Sequence, residues 1–94
     1  MGEEKISTRH PSGKKGWSIS KAKYDMVKAS ILDCLGKREL PHTDLTKCVG
    51  AALRGKLDGS VPWYTEVVKL DLEARRIIER NPETKPERYR IRRS

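Results

Sequence analysis

The sequence predicts a mainly α fold with a small β-hairpin, an α+β domain of three helices followed by two strands. Three amphipathic segments run in succession to Ala74, each opened by a capping residue or closed by a glycine. After them, Ile77-Ile78, a turn bracketed by Asn81-Pro82 and Lys85-Pro86, and the alternating Arg88-Tyr89-Arg90-Ile91-Arg92 have the composition and period of a hairpin. At 94 residues the chain is one domain, burying roughly 60–65% of its unfolded surface around one modest core.

Residues 1–18 mix basic side chains with Pro11, Gly13 and Gly16 and bury too little to repay ordering, so a flexible basic arm is expected there, ahead of a domain over 19–94. Ile19, a Ser20 cap and Tyr24 have the spacing of a hydrophobic staple. Helix one is expected over 21–35, with Tyr24, Val27, Ile31, Cys34 and Leu35 on one face and Gly36 ending it. The Leu40 segment is expected to add a third, short strand to the hairpin. Helix two, over 43–54, opens at a Thr43 cap and groups Leu45, Cys48, Val49, Ala52 and Leu53.

Helix three, over 60–75, is capped by Ser60 and tolerates Pro62 in its first turn. Trp63, Val67, Leu70 and Ala74 share one stripe and are expected to face the core, leaving Thr65, Glu66, Lys69 and Glu73 opposite. Tyr64, Val68 and Leu72 form a second stripe, covered either by the rest of the fold or by another protein, a second copy of the chain included. Two endings fit this helix: near Ala74, or at Arg80 just before Asn81-Pro82. The first leaves strands over 77–80 and 88–92, with Tyr89 and Ile91 inward and the arginines outward.

The net charge of +8 is unevenly spread. Residues 1–23 carry six Lys/Arg against two Glu, residues 24–74 seven against eight acids, and residues 75–94 eight against three. Basic ends around a neutral middle suit a polyanion, because phosphate contacts release condensed counterions without needing sequence-specific geometry. No long apolar run and no signal-peptide pattern is present, so a cytoplasmic protein without membrane attachment is expected.

Chemistry beyond binding has little support in the residues. Cys34 and Cys48 fall on apolar stripes and read as small core hydrophobes, and the order His10, Cys34, His42, Cys48 matches no paired zinc spacing. No phosphate loop, nucleophile elbow or paired carboxylates can be found, so neither enzyme activity, a cofactor, a metal nor a small-molecule ligand is expected.

From Ser20 to Arg93 the pattern resembles winged helix-turn-helix domains, most specifically in the stretch Val67-Val68-Lys69-Leu70-Asp71-Leu72-Glu73-Ala74-Arg75-Arg76-Ile77-Ile78-Glu79-Arg80, although Arg76 stands where many such domains have Gly. The chain is also similar to small uncharacterised bacterial proteins sharing Ser20-Lys21-Ala22-Lys23-Tyr24-Asp25 and Trp63-Tyr64 with Lys69-Leu70-Asp71-Leu72-Glu73-Ala74-Arg75, a likeness that carries no activity. The winged-helix resemblance implies a DNA-binding module, such as a transcription regulator, holding double-stranded DNA. The residues expected to touch it are Lys14, Lys15, Thr65, Lys69, Arg80, Lys85, Arg88, Arg90 and Arg92, mostly at phosphate, since the acids on helix three make a poor base reader. The competing reading is a protein-interaction or homodimerisation module on the same scaffold, through Tyr64, Val68 and Leu72.

Overall fold

Every helix starts beside a strand or a cap. The computed structural model describes residues 4–92; the ends of the expected arm and domain, 1–3 and 93–94, lie outside them. In chain order the elements are β1 (Lys5–Ser7), β2 (Ser18–Ser20), α1 (Lys21–Leu35), β3 (Leu40–Pro41), α2 (His42–Ala52), α3 (Val61–Ala74), β4 (Ile78–Asn81) and β5 (Arg88–Ile91). The molecule is an α+β fold: three helices and two small antiparallel sheets, β1-β2 and β3-β5-β4.

The Ser20 hydroxyl caps α1 by accepting from the Lys23 N–H, and Gly36, at φ 49°, closes it with its N–H on the Leu32 carbonyl. Thr43, expected to cap α2, lies inside its first turn. The helix starts directly from β3, with Pro41 extended at the cap position and pairing with Arg88 of β5, so no loop residue is left to cap it. Ser60 caps α3 as expected, accepting from the Trp63 N–H.

Helix three ends at Ala74 without a glycine. Arg76 takes the left-handed conformation (φ 61°), its N–H reaches the Glu73 carbonyl and that of Ile77 the Leu72 carbonyl, which together satisfy the last turn and turn the chain into β4. An arginine there accepts a conformational cost of about 1–2 kcal/mol that glycine would avoid.

The core is built on ridges of period four: Val27, Ile31 and Leu35 from α1, Leu45 and Val49 from α2, Val68 and Leu72 from α3, closed by Ile19, Ile78 and Tyr89. Each fully buried aliphatic side chain contributes about 1.5–3 kcal/mol.

Three expectations are corrected here. The core side of α3 is centred on the stripe of Tyr64, Val68 and Leu72; of the expected stripe Val67 is buried in the core, but Trp63 is 40% exposed and Leu70 and Ala74 are only partly covered. Compact Val68 and Leu72 interlock with α1 and α2 at full burial, whereas Trp63 sits in the first turn, beyond the core's edge, and packs on Trp17 instead. Cys34 and Cys48, read as separate apolar thiols, are joined by a disulfide that ties the end of α1 to α2. And the segment expected as a flexible arm forms β1, pairing Ile6 with Ile19, because Ile6 packs on the core, Trp17 meets Trp63 of α3 and the Arg9 N–H bonds Asp71 of the same helix.

Candidate nucleic-acid interface

The side of α3 that faces away from the core presents Trp63, Glu66 and Leu70, with Glu73 partly covered. Successive residues turn by about 100°, so Glu73 and Asp71 lie on opposite flanks of this strip. On the Glu73 flank stands the β4-β5 hairpin: Arg80 reaches the Glu73 carboxylate at 3.0 Å, and Tyr89 meets Lys69. On the Asp71 flank runs the N-terminal segment, anchored by the Arg9 N–H on Asp71 (2.8 Å) and by Trp17 against Trp63. The two basic regions of the sequence therefore border the same helix face.

Their charges are not equally available. Arg90 forks between Glu39 (2.8 Å) and Glu79 (2.6 Å), bonds that raise its pKa and hold the Glu39 carboxyl below its ordinary range. Arg80 is committed to Glu73 and, at 3.5 Å, to Glu87, and it stacks over the Tyr89 ring. Arg92 lies 4.0 Å from Glu79. Lys14, Lys15, Lys85 and Arg88 are exposed and make no ion pair among the described residues. A polar cleft of about 390 Å³ between the turn after α1 and the sheet is lined by Lys37, Arg38, Glu39, Glu79 and Arg90, and its acids are already engaged with Arg90.

Two residues expected at the interface are inside the molecule. Thr65 is fully buried. Lys69 is 3% exposed, its ammonium 2.9 Å from His42 Nδ1, 3.2 Å from the Tyr89 hydroxyl, 3.6 Å from Glu66 and over the Tyr89 ring. Tyr64, Val68 and Leu72, expected as a protein contact, are likewise occupied: the latter two are fully buried and the first is half-buried under Trp63. Nothing in the one-dimensional pattern showed that a lysine would be drawn inward by partners 20 and 27 residues away.

The Lys69 cluster has a titration consequence. Because the ammonium can only donate, His42 accepts at Nδ1, so its proton sits on Nε2, facing Glu66 at 3.3 Å. Burial first, and the Lys69 charge second, depress the His42 pKa, while Glu66 opposes them. The unfolded chain then takes up this proton before the folded one, so stability is complete above the ordinary histidine value of 6.5 and falls as pH drops below it. Glu39, whose pKa is also depressed, acts in a lower window, below the ordinary 4.5. Thermal melts between pH 7.5 and 5 should show a declining Tm whose slope is flattened by His42→Gln; an unchanged slope would show that the imidazole does not titrate across folding.

A second buried polar group was not read from the sequence. Asp71, fully buried, accepts from the Arg9 N–H, the Tyr24 hydroxyl and Arg75 Nε. Burial, then the bond to Asp71, raises the Tyr24 pKa strongly. Every oxygen is occupied from within, which makes this a structural joint between the N-terminal segment, α1 and α3. A lone Asp inside the apolar run Leu70-Asp71-Leu72 was its one visible signal.

A family model described as a family of unknown function (DUF6958) matches residues 5–89, and the chain belongs to that family. No curated protein and no solved structure matches it. Among the described residues no helix is long and apolar enough to cross a membrane.

Proposed function

We propose that the chain is a winged helix module that binds double-stranded DNA through phosphate, with the hairpin tip and the N-terminal segment as its two contact regions. The element order α1-β3-α2-α3-β4-β5 and the sheet order β3-β5-β4 support the fold reading. The observation that carries the function is that the hairpin, through Arg80, and the N-terminal segment, through Arg9 and Trp17, flank α3. This supports reading the exposed cations they bear, Lys85 and Arg88 on the one and Lys14 and Lys15 on the other, as the phosphate contacts. Arg80 and Arg90 stiffen the hairpin, and Glu66 on the strip between keeps α3 from base reading.

Phosphate contacts give affinity that falls steeply with salt and is nearly indifferent to sequence. Titrating a labelled duplex at several salt concentrations should show binding, and Lys85→Ala with Arg88→Ala should lower the log–log salt slope by about two units for all duplexes alike. Arg90→Ala should leave the slope unchanged and cost stability instead. Absence of binding even at low salt would refute the proposal.

A further inference from the structure

Large aromatic side chains seldom stand in solvent beside lysines, yet the chain's two tryptophans do: Trp17 is 58% and Trp63 40% exposed. Their rings meet edge to face, with centroids 5.7 Å apart and planes at 68°, and Tyr64 closes on the second ring at 5.0 Å and 89°. Lys23 lies over the Tyr64 ring, and Lys14 and Lys15 stand three and two positions before Trp17 without ion pairs among the described residues.

The rings are held in place by their surroundings. The Trp17 N–H donates to Thr8 Oγ1 (2.8 Å), and its carbonyl accepts from the Thr8 N–H (2.7 Å). The crossing is so close that a Cβ at Gly16 would lie 1.8 Å from the Thr8 carbonyl oxygen, so glycine is required there. Trp63 is fixed from the other side, its N–H on the Ser60 cap. Exposed aromatic groups on a fixed backbone lose little entropy when something stacks on them.

We infer that Trp17 and Trp63 form a stacking platform for unpaired nucleobases, so that the site takes single-stranded nucleic acid, alone or as an overhang continuing from a bound duplex. The inference rests on the nucleic-acid reading above and extends it to a substrate class. Three features favour it. A π-face accepts any base, the flanking Lys14 and Lys15 suit a strand's phosphates, and Glu66, the acid on the exposed strip of α3, is already engaged by Lys69 and His42. An acidic protein partner fits the charge but would leave the ring faces without planar partners.

Because these are the only tryptophans, their fluorescence reports the contact directly in the unmodified protein. A blunt duplex, the same duplex with a six-thymidine overhang, and a twelve-thymidine strand would each be titrated at fixed low salt, following both emission and the anisotropy of a labelled strand. Quenching by the two thymidine-bearing probes only, and an overhang duplex bound at least about tenfold more tightly than the blunt one, are expected. Trp17→Ala and Trp63→Ala should erase that gain, bringing the overhang duplex to the affinity of the blunt one within each variant, with circular dichroism verifying their fold; Trp17→Phe should retain part of it. Equal affinity for both duplexes with unquenched emission overturns the platform and leaves the phosphate reading standing. Failure of all three probes to bind overturns both, as the platform needs a nucleic acid. A concentration-dependent dimer in sedimentation that Trp63→Ala abolishes overturns it in favour of contact between copies.

Discussion

Replacing Asp71 by Ala is expected to lower the unfolding free energy by about 3–5 kcal/mol, the range for removing one partner of a buried charged cluster. The side chain is fully buried and accepts from three different parts of the chain. Its loss leaves the Tyr24 hydroxyl and the Arg9 N–H without their acceptor, each worth about 1–3 kcal/mol when stranded, while Arg75, 29% exposed, can turn to water. Asp71→Asn keeps one acceptor oxygen and should cost about half as much. Urea titration followed by circular dichroism measures both. A loss below about 1 kcal/mol for the alanine variant would show that the N-terminal segment is not held through this carboxylate.

Breaking the Cys34–Cys48 link by the double Cys→Ser substitution should cost about 3 kcal/mol, the loop entropy of a bridge spanning 14 positions. For a domain of this size that is a fall in Tm of about 12–24 °C. Reductant should produce a similar fall in the unmodified protein and none in the double variant, which separates the bond from the substitutions. If the melts coincide with and without reductant, the pair contributes nothing as a bridge. In a compartment that keeps thiols reduced, the domain would work at the lower of the two stabilities.

Local signals were the legible ones. Ser20 and Gly36 bound α1 within a few residues of chain, and both ends fall where the sequence places them, at Lys21 and Leu35. The alternation of β5 likewise puts Tyr89 inward and exposes Arg88. The rotation of α3 was not legible, because its two apolar stripes are nearly equal and only the packing against α1 and α2 chooses between them. Nor could the periodicity show that Thr65 and Lys69, opposite the Trp63 stripe, and Asp71, between the two stripes, would go inside. What admits the latter two are partners far along the chain: His42 and Tyr89 for the lysine, Tyr24 and Arg9 for the aspartate. The disulfide escaped for a related reason: both cysteines sit on apolar faces, and spacing alone does not distinguish neighbours in a core from bonded partners.

The joint at Asp71 also orders events in time. Its bonds to Tyr24 and Arg9 close loops of 47 and 62 residues, whereas the turn from α3 into β4 is secured by carbonyls within five positions. Closing a long loop gives up chain entropy before any contact repays it, so the α3-β4-β5 unit can form early and the N-terminal segment docks last. Contacts made last are the ones absent from the folding transition state, so removing the Arg9 N–H with proline, or the Thr8 hydroxyl with valine, would quicken unfolding and leave the folding rate almost untouched.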